Sequence, residues 1–218
     1  MKRNTVAVRL ISTTLVAALG SFSILPAAAI ASTNESAPSF GESSIVKTSD
    51  NTFSVIENGH ESTVTVTEAD GTRTVAIVDS ATGESNQFIY DEATNTIYSS
   101  YTGKTINADD ITEVNAPSTR SRSTSKTYSF SYASIKSAVG DTGNIVNMIG
   151  FFLSKTGALS MDAGPVIALG VILSGIGGLI PNQSDHGINV TVTTTKYYRN
   201  GNNVPYRTTK TITGLSAY

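Results

Sequence analysis

Between residues 52 and 101 the chain alternates apolar and polar side chains in five short runs, 52–57, 62–68, 73–79, 86–91 and 96–101. A period of two sends successive side chains to opposite faces of a strand. The joints constrain the fold further. Asn58-Gly59, Asp70-Gly71 and Thr82-Gly83 supply residues that tolerate positive φ, and Glu92-Ala93-Thr94-Asn95 makes a longer loop. Strands this short, joined this tightly, close into an antiparallel meander. Val64, Val66, Val75, Ile77, Phe88, Tyr90, Ile97 and Tyr101 then form one apolar face, which requires a cover.

The second half of the chain carries helical periodicity. Ile145, Met148, Ile149, Phe152 and Leu153 recur at three and four residues within 144–154, while Asn144 and Asn147 fall elsewhere; Asp141 or Thr142 supplies a cap. A second segment, 163–180, has eighteen residues without a charge, opened by Asp162, with Pro165 in its first turn and Pro181 beyond its end. As a helix it would reach about 27 Å, the lower edge of membrane-spanning length. A turn at Lys155-Thr156-Gly157 joins the two into a helical hairpin over 141–180. Gly170, Ser174 and Gly178 recur every four residues and form a small-residue ridge that permits close helix packing. Two states fit this hairpin: a core buried in water, or a segment that packs against copies of itself in a membrane.

Strand-like stretches flank it. Tyr128, Phe130 and Tyr132 share one strand face, Ile188, Val190 and Val192 another, and the turn 199–203 joins the latter to 204–212 as a C-terminal β-hairpin spanning 187–213, with Pro205 favouring an edge. The expected class is α+β: a flexible leader over 32–50, an acidic β-meander domain over 51–116, a Ser- and Arg-rich linker over 117–126, and a basic domain over 127–218.

Charge divides the same way. From 32 to 118 there are fourteen acidic residues against Lys47, Arg73 and Lys104, net −11; from 119 to 218 there are nine basic residues against Asp141, Asp162 and Asp185, net +6. The halves attract each other, and the basic half fits a polyanionic partner for which the acidic half competes. Lys196, Arg199, Arg207 and Lys210 with Tyr197, Tyr198 and Tyr206 concentrate cationic and aromatic character at the C-terminal hairpin, a mixture that suits an anionic membrane interface. An ordinary solvated sheet edge fits these residues too.

Several chemistries are poorly served. Without cysteine there are no disulfides, thiolate metal sites or cysteine nucleophile. His60 and His186 sit in no metal-ligand spacing, no G-x-S-x-G elbow occurs, and Asp109, Asp110 and Glu113 lack the spacing of a calcium loop. The expectation is a protein that is not an enzyme and uses no cofactor, no metal and no nucleic acid.

Residues 1–31 read as a secretion signal: Lys2, Arg3 and Arg9 precede an uncharged run, and Ala29-Ile30-Ala31 fits cleavage after Ala31. The protein is thus expected outside the cell. Arg120 and Arg122 in the linker mark a second candidate processing site.

The signal, the Thr- and Tyr-rich meander and the stretch G-P-V-I-A-L-G-V-I-L-S-G-I-G-G-L-I before a basic β segment resemble the secreted, large unmodified bacteriocins of Gram-positive bacteria, nearest the geobacillin-like family. That resemblance implies killing of related bacteria through the envelope, with no catalytic residues. The function expected is an exported antimicrobial, membrane-active toxin whose Gly-rich hairpin inserts and whose acidic half restrains it, with possible self-association and a possible immunity protein as partners. A cell-surface binding or adhesion module without membrane activity is the alternative.

Overall fold

The two-residue joints close as tight hairpins, because Asn58, Gly59, Asp70 and Gly71 all take positive φ, as type I′ turns require. The computed structural model describes residues 43–115, 122–199 and 203–218. Seven strands, β1 (Ser43–Lys47), β2 (Thr52–Glu57), β3 (His60–Ala69), β4 (Thr72–Asp79), β5 (Ser85–Asp91), β6 (Thr96–Ser99) and β7 (Lys104–Asn107), pair in chain order as one antiparallel meander. After a 3-10 turn at Ala108–Asp110 come β8 (Thr112–Asn115), β9 (Ser123–Ser131), α1 (Tyr132–Val139), α2 (Ile145–Thr156), β10 (Ser160–Met161), α3 (Ala163–Gly175), β11 (Gly187–Tyr197) and β12 (Arg207–Ala217). The second sheet has the order β10-β12-β11-β9-β8, antiparallel except where β10 joins β12. The class is α+β.

The cover required by the meander is α2. Asn144 caps its first turn, accepting from the Asn147 amide at 2.9 Å, and Gly157 ends it in the left-handed conformation. Eleven of its twelve residues are buried. A helix apolar on most of its circumference needs apolar neighbours all round, and the two sheets supply them. Phe151 lies 6.2 Å from Phe88 of β5 and 5.3 Å from Phe130 of β9, centroid to centroid, so one ring touches both sheets. Gly150 brings the helix close to the meander: a Cβ there would stand 2.7 Å from Ile77 Cδ1 and 2.8 Å from Phe88 Cδ2. Contacts of α1 run to β6, β7 and β9, and those of α3 to β1 and β12, so each helix touches both sheets.

Several expectations differ from this arrangement. The acidic and basic halves are not separate bodies: all described residues fall in one compact unit, Ser36–Tyr218, with one hydrophobic cluster running from Phe53 to Ile212. Burial of α2 demands both sheets at once. The leader over 32–50 contains β1, which pairs along β2, and the meander's expected last residues, as β8, belong to the second sheet. Of the linker, 117–121 lie outside the described residues, and 123–126 form the start of β9. The two apolar helices do not follow one another through a simple turn, because β10 intervenes and pairs with β12, and α3 stops at Gly175 where Gly177 and Gly178 turn to positive φ. Pro205 precedes β12, which is flanked by β11 and β10.

Candidate functional site

Both ends of α2 are gripped from the acidic half. At the N-terminus the Glu57 carboxylate, at the end of β2, accepts from the amides of Ile145 and Val146. At the C-terminus Arg73 of β4 donates from Nη1 to the Ser154 carbonyl at 2.6 Å, and its Nε meets Glu68 Oε1 at 2.5 Å. An anion at the amide end and a cation at the carbonyl end match the helix dipole. Burial dominates at Glu57 and pushes its pKa up, against the pull of the two amides and His60.

Around Arg73 opens a cleft of about 440 Å³, lined by the turn at Asp70 and Gly71, by Tyr90, Glu92, Glu113 and Tyr128, and by Lys155 and Lys210. Lys155 Nζ donates to Asn95 Oδ1 at 3.0 Å and stands 5.1 Å from the Tyr90 ring centroid; burial holds its pKa down. Tyr128 is pushed up to about 12, first by burial and then by the charge of Glu113, which also pairs with Lys126 at 2.6 Å. These phenols stay protonated and act as donors, so the cleft offers fixed charges and hydrogen bonds for recognition. Among the described residues no cluster of His, Asp and Glu could hold a metal ion.

A second surface is the outer side of α3. Val166, Leu169 and Leu173 are fully buried, whereas Ile167 is 59% exposed, Val171 68% and the following Leu179 64%. The residues of the small-residue ridge are dispersed. At Gly170 a Cβ would meet Ile145 Cδ1 at 3.9 Å, ordinary van der Waals distance; Ser174 is exposed; and Gly178 lies beyond the helix at φ 75°. A four-residue repeat marks a helical ridge only while the helix lasts, and α3 ends before Gly178. Among the described residues no helix is long and apolar enough to cross a membrane.

The basic and aromatic residues of the C-terminal hairpin come together in part. Arg207 faces its cross-strand partner Tyr197, 5.9 Å to the ring centroid, and pairs with Asp50 at 2.6 Å; Arg199 stands 5.5 Å over Tyr206. Lys196 is exposed and Tyr198 half-buried, while Lys210 lines the cleft instead. Asn200, Gly201 and Asn202 of the turn lie outside the described residues, as do residues 1–31 with Ala31, and Arg120. Arg122 is exposed, and its carbonyl accepts from the Lys196 amide at 2.8 Å.

Sequence reasoning passed over Glu57, Arg73, Ile167, Val171 and Leu179. One signal for Arg73 was present: a lone arginine among fourteen acids beside a tight turn. No family model, no curated protein and no solved structure matches this chain.

Proposed function

We propose that this is an exported antimicrobial, bacteriocin-like protein that acts on the bacterial envelope. The observation that carries the reading is α3: a helix without a single charge that buries only one side and turns Ile167 and Val171, one helical turn apart, to solvent. Contiguous exposed apolar side chains on a monomeric protein mark an interaction surface. The exposed Lys196, Arg199, Tyr197 and Tyr206 supply the cationic and aromatic character that favours an anionic bilayer surface. In the resting fold α2 is shut between the sheets, so insertion of the apolar α2–α3 region requires the sheets to part. The acidic half then restrains by burying α2 and holding both its ends, and charge competition is secondary, since its exposed ion pairs contribute little.

The test is leakage of dye from phosphatidylglycerol vesicles by the exported form, with Val171→Glu as the variant. The wild type should release dye and Val171→Glu should not, with an unchanged melting temperature because residue 171 is exposed. Intact vesicles with wild type, or equal leakage by both, overturns the proposal.

A second reading, a surface-binding module, is favoured by the outer face of the second sheet. There Ser123, Ser125, Thr127 and Ser129 of β9 pair hydroxyl to hydroxyl or amide with Thr195, Thr193, Thr191 and Asn189 of β11, at 2.6–3.4 Å. Thr213 and the Ser160–Thr211 pair extend the array, which is uncharged and suits a neutral polyhydroxyl partner. Binding to an insoluble glycan without vesicle leakage would favour it.

A further inference from the structure

Gly157, which ends α2 at φ 67°, keeps open a space that two cations share. A Cβ there would stand 2.7 Å from Arg73 Nη2 and 3.3 Å from Lys210 Nζ, so the two nitrogens lie no more than 6.0 Å apart. Each keeps a nitrogen unspent. Arg73 spends Nε on Glu68 and Nη1 on the carbonyl end of α2, leaving Nη2, and Lys210 has no ion pair among the described residues. The Glu68 carboxylate already offsets part of the Arg73 charge, and the repulsion that remains between the two cations favours an anion between them.

The same cleft is lined by carboxylates as well. Asp70 and Glu92 flank Gly71, with Glu92 Oε2 3.7 Å from where a Cβ of Gly71 would be, and neither carboxylate has an ion pair among the described residues. The rings of Tyr90 and Tyr128 line the same cleft. A volume of about 440 Å³ suits a small polar molecule and not a polymer.

We propose that this cleft binds a small zwitterion carrying a phosphate and an ammonium, the phosphate between Arg73 Nη2 and Lys210 Nζ and the ammonium at Asp70 and Glu92. Two cations, Arg73 offering Nη2 and Lys210 a point charge, match the double charge and several oxygens of a phosphate better than the single charge of a carboxylate. The phosphoethanolamine group is the simplest ligand of this kind, and it occurs both free and as a lipid headgroup. The site does not depend on the membrane reading, since it lies in the cleft and not on α3.

The experiment is calorimetric titration of the exported form with O-phosphoethanolamine, inorganic phosphate and ethanolamine at fixed ionic strength. Flotation with vesicles containing phosphatidylethanolamine, against phosphatidylglycerol alone, distinguishes the two sources. O-Phosphoethanolamine should bind one per chain, about tenfold more tightly than either fragment, as expected for charge-assisted bonds at both ends. Lys210→Gln should weaken it by about tenfold or more with an unchanged melting temperature, and Glu92→Gln should weaken it while sparing inorganic phosphate. Binding of the free compound alone, or of the free compound and the lipid vesicles, upholds the site and names its source. No saturable binding of the free compound, or indifference to Lys210→Gln in the folded protein, overturns it.

Discussion

Replacing Arg73 by methionine tests whether the meander holds α2 by its carbonyl end. The side chain is 15% exposed, and its short bond to the helix is the 2.6 Å donation to the Ser154 carbonyl. A hydrogen bond from a charged donor contributes about 1.5–3 kcal/mol, and a cation at a helix C-terminus adds roughly 0.3–1 kcal/mol. The ion pair with Glu68 adds little, because that carboxylate is half exposed. Methionine keeps the apolar stem, so packing changes little, and the expected loss is about 3 kcal/mol. With a urea slope of about 2 kcal/mol/M, the midpoint should fall by about 1.5 M. Arg73→Lys keeps the charge but loses the fork that serves Glu68 and Ser154 together, and should fall between the two. Urea unfolding followed by far-ultraviolet and tyrosine near-ultraviolet circular dichroism reads both the midpoint and the number of transitions. A loss below about 0.5 kcal/mol would refute the grip on α2. Two separate transitions in the wild type would refute the single core.

Leu173→Ala should cost about 2–5 kcal/mol because it empties a fully buried site, whereas Ser174→Leu, at an exposed position, should stay within about 0.5 kcal/mol; thermal melts of the two variants decide. Glu57 has its pKa raised by burial above the ordinary 4.5, so its ionisation penalises the fold: the penalty is absent below 4.5, grows as pH rises toward the folded value and is complete above it. Glu57→Gln removes that dependence, so the wild type should gain stability relative to the variant as pH falls through this window, measured by urea midpoints at a series of pH values. Cleavage beside Arg122 should leave the pieces associated, since β8 stays paired with β9 and α2 stays buried; native size-exclusion and denaturing gels of trypsin-treated protein should show one species and two chains.

Local chemistry determined a large part of this fold. Strand β2 runs over the residues that alternate, Thr52–Glu57, because a two-residue turn with Asn58 and Gly59 at positive φ admits only one hairpin register. Helix α2 begins at its asparagine cap and ends at Gly157 for equally local reasons. The signals that misled were those whose meaning depends on a distant partner. Asn147 reads as the polar side of an amphipathic helix, yet it is buried, because two sheets enclose α2 instead of one. The segment around Ile167 and Val171 reads as a core buried in water or a segment packed in a membrane, yet about half of it faces solvent. Hydrophobicity is a property of the residue, whereas burial depends on whether another element arrives to cover it. The charge step near residue 118 reads as a domain boundary, but exposed charge contributes little beside a shared core. Joining Arg73 to Ser154, and bringing Lys210 beside Arg73, depends on contacts 81 and more residues apart, which no local pattern encodes.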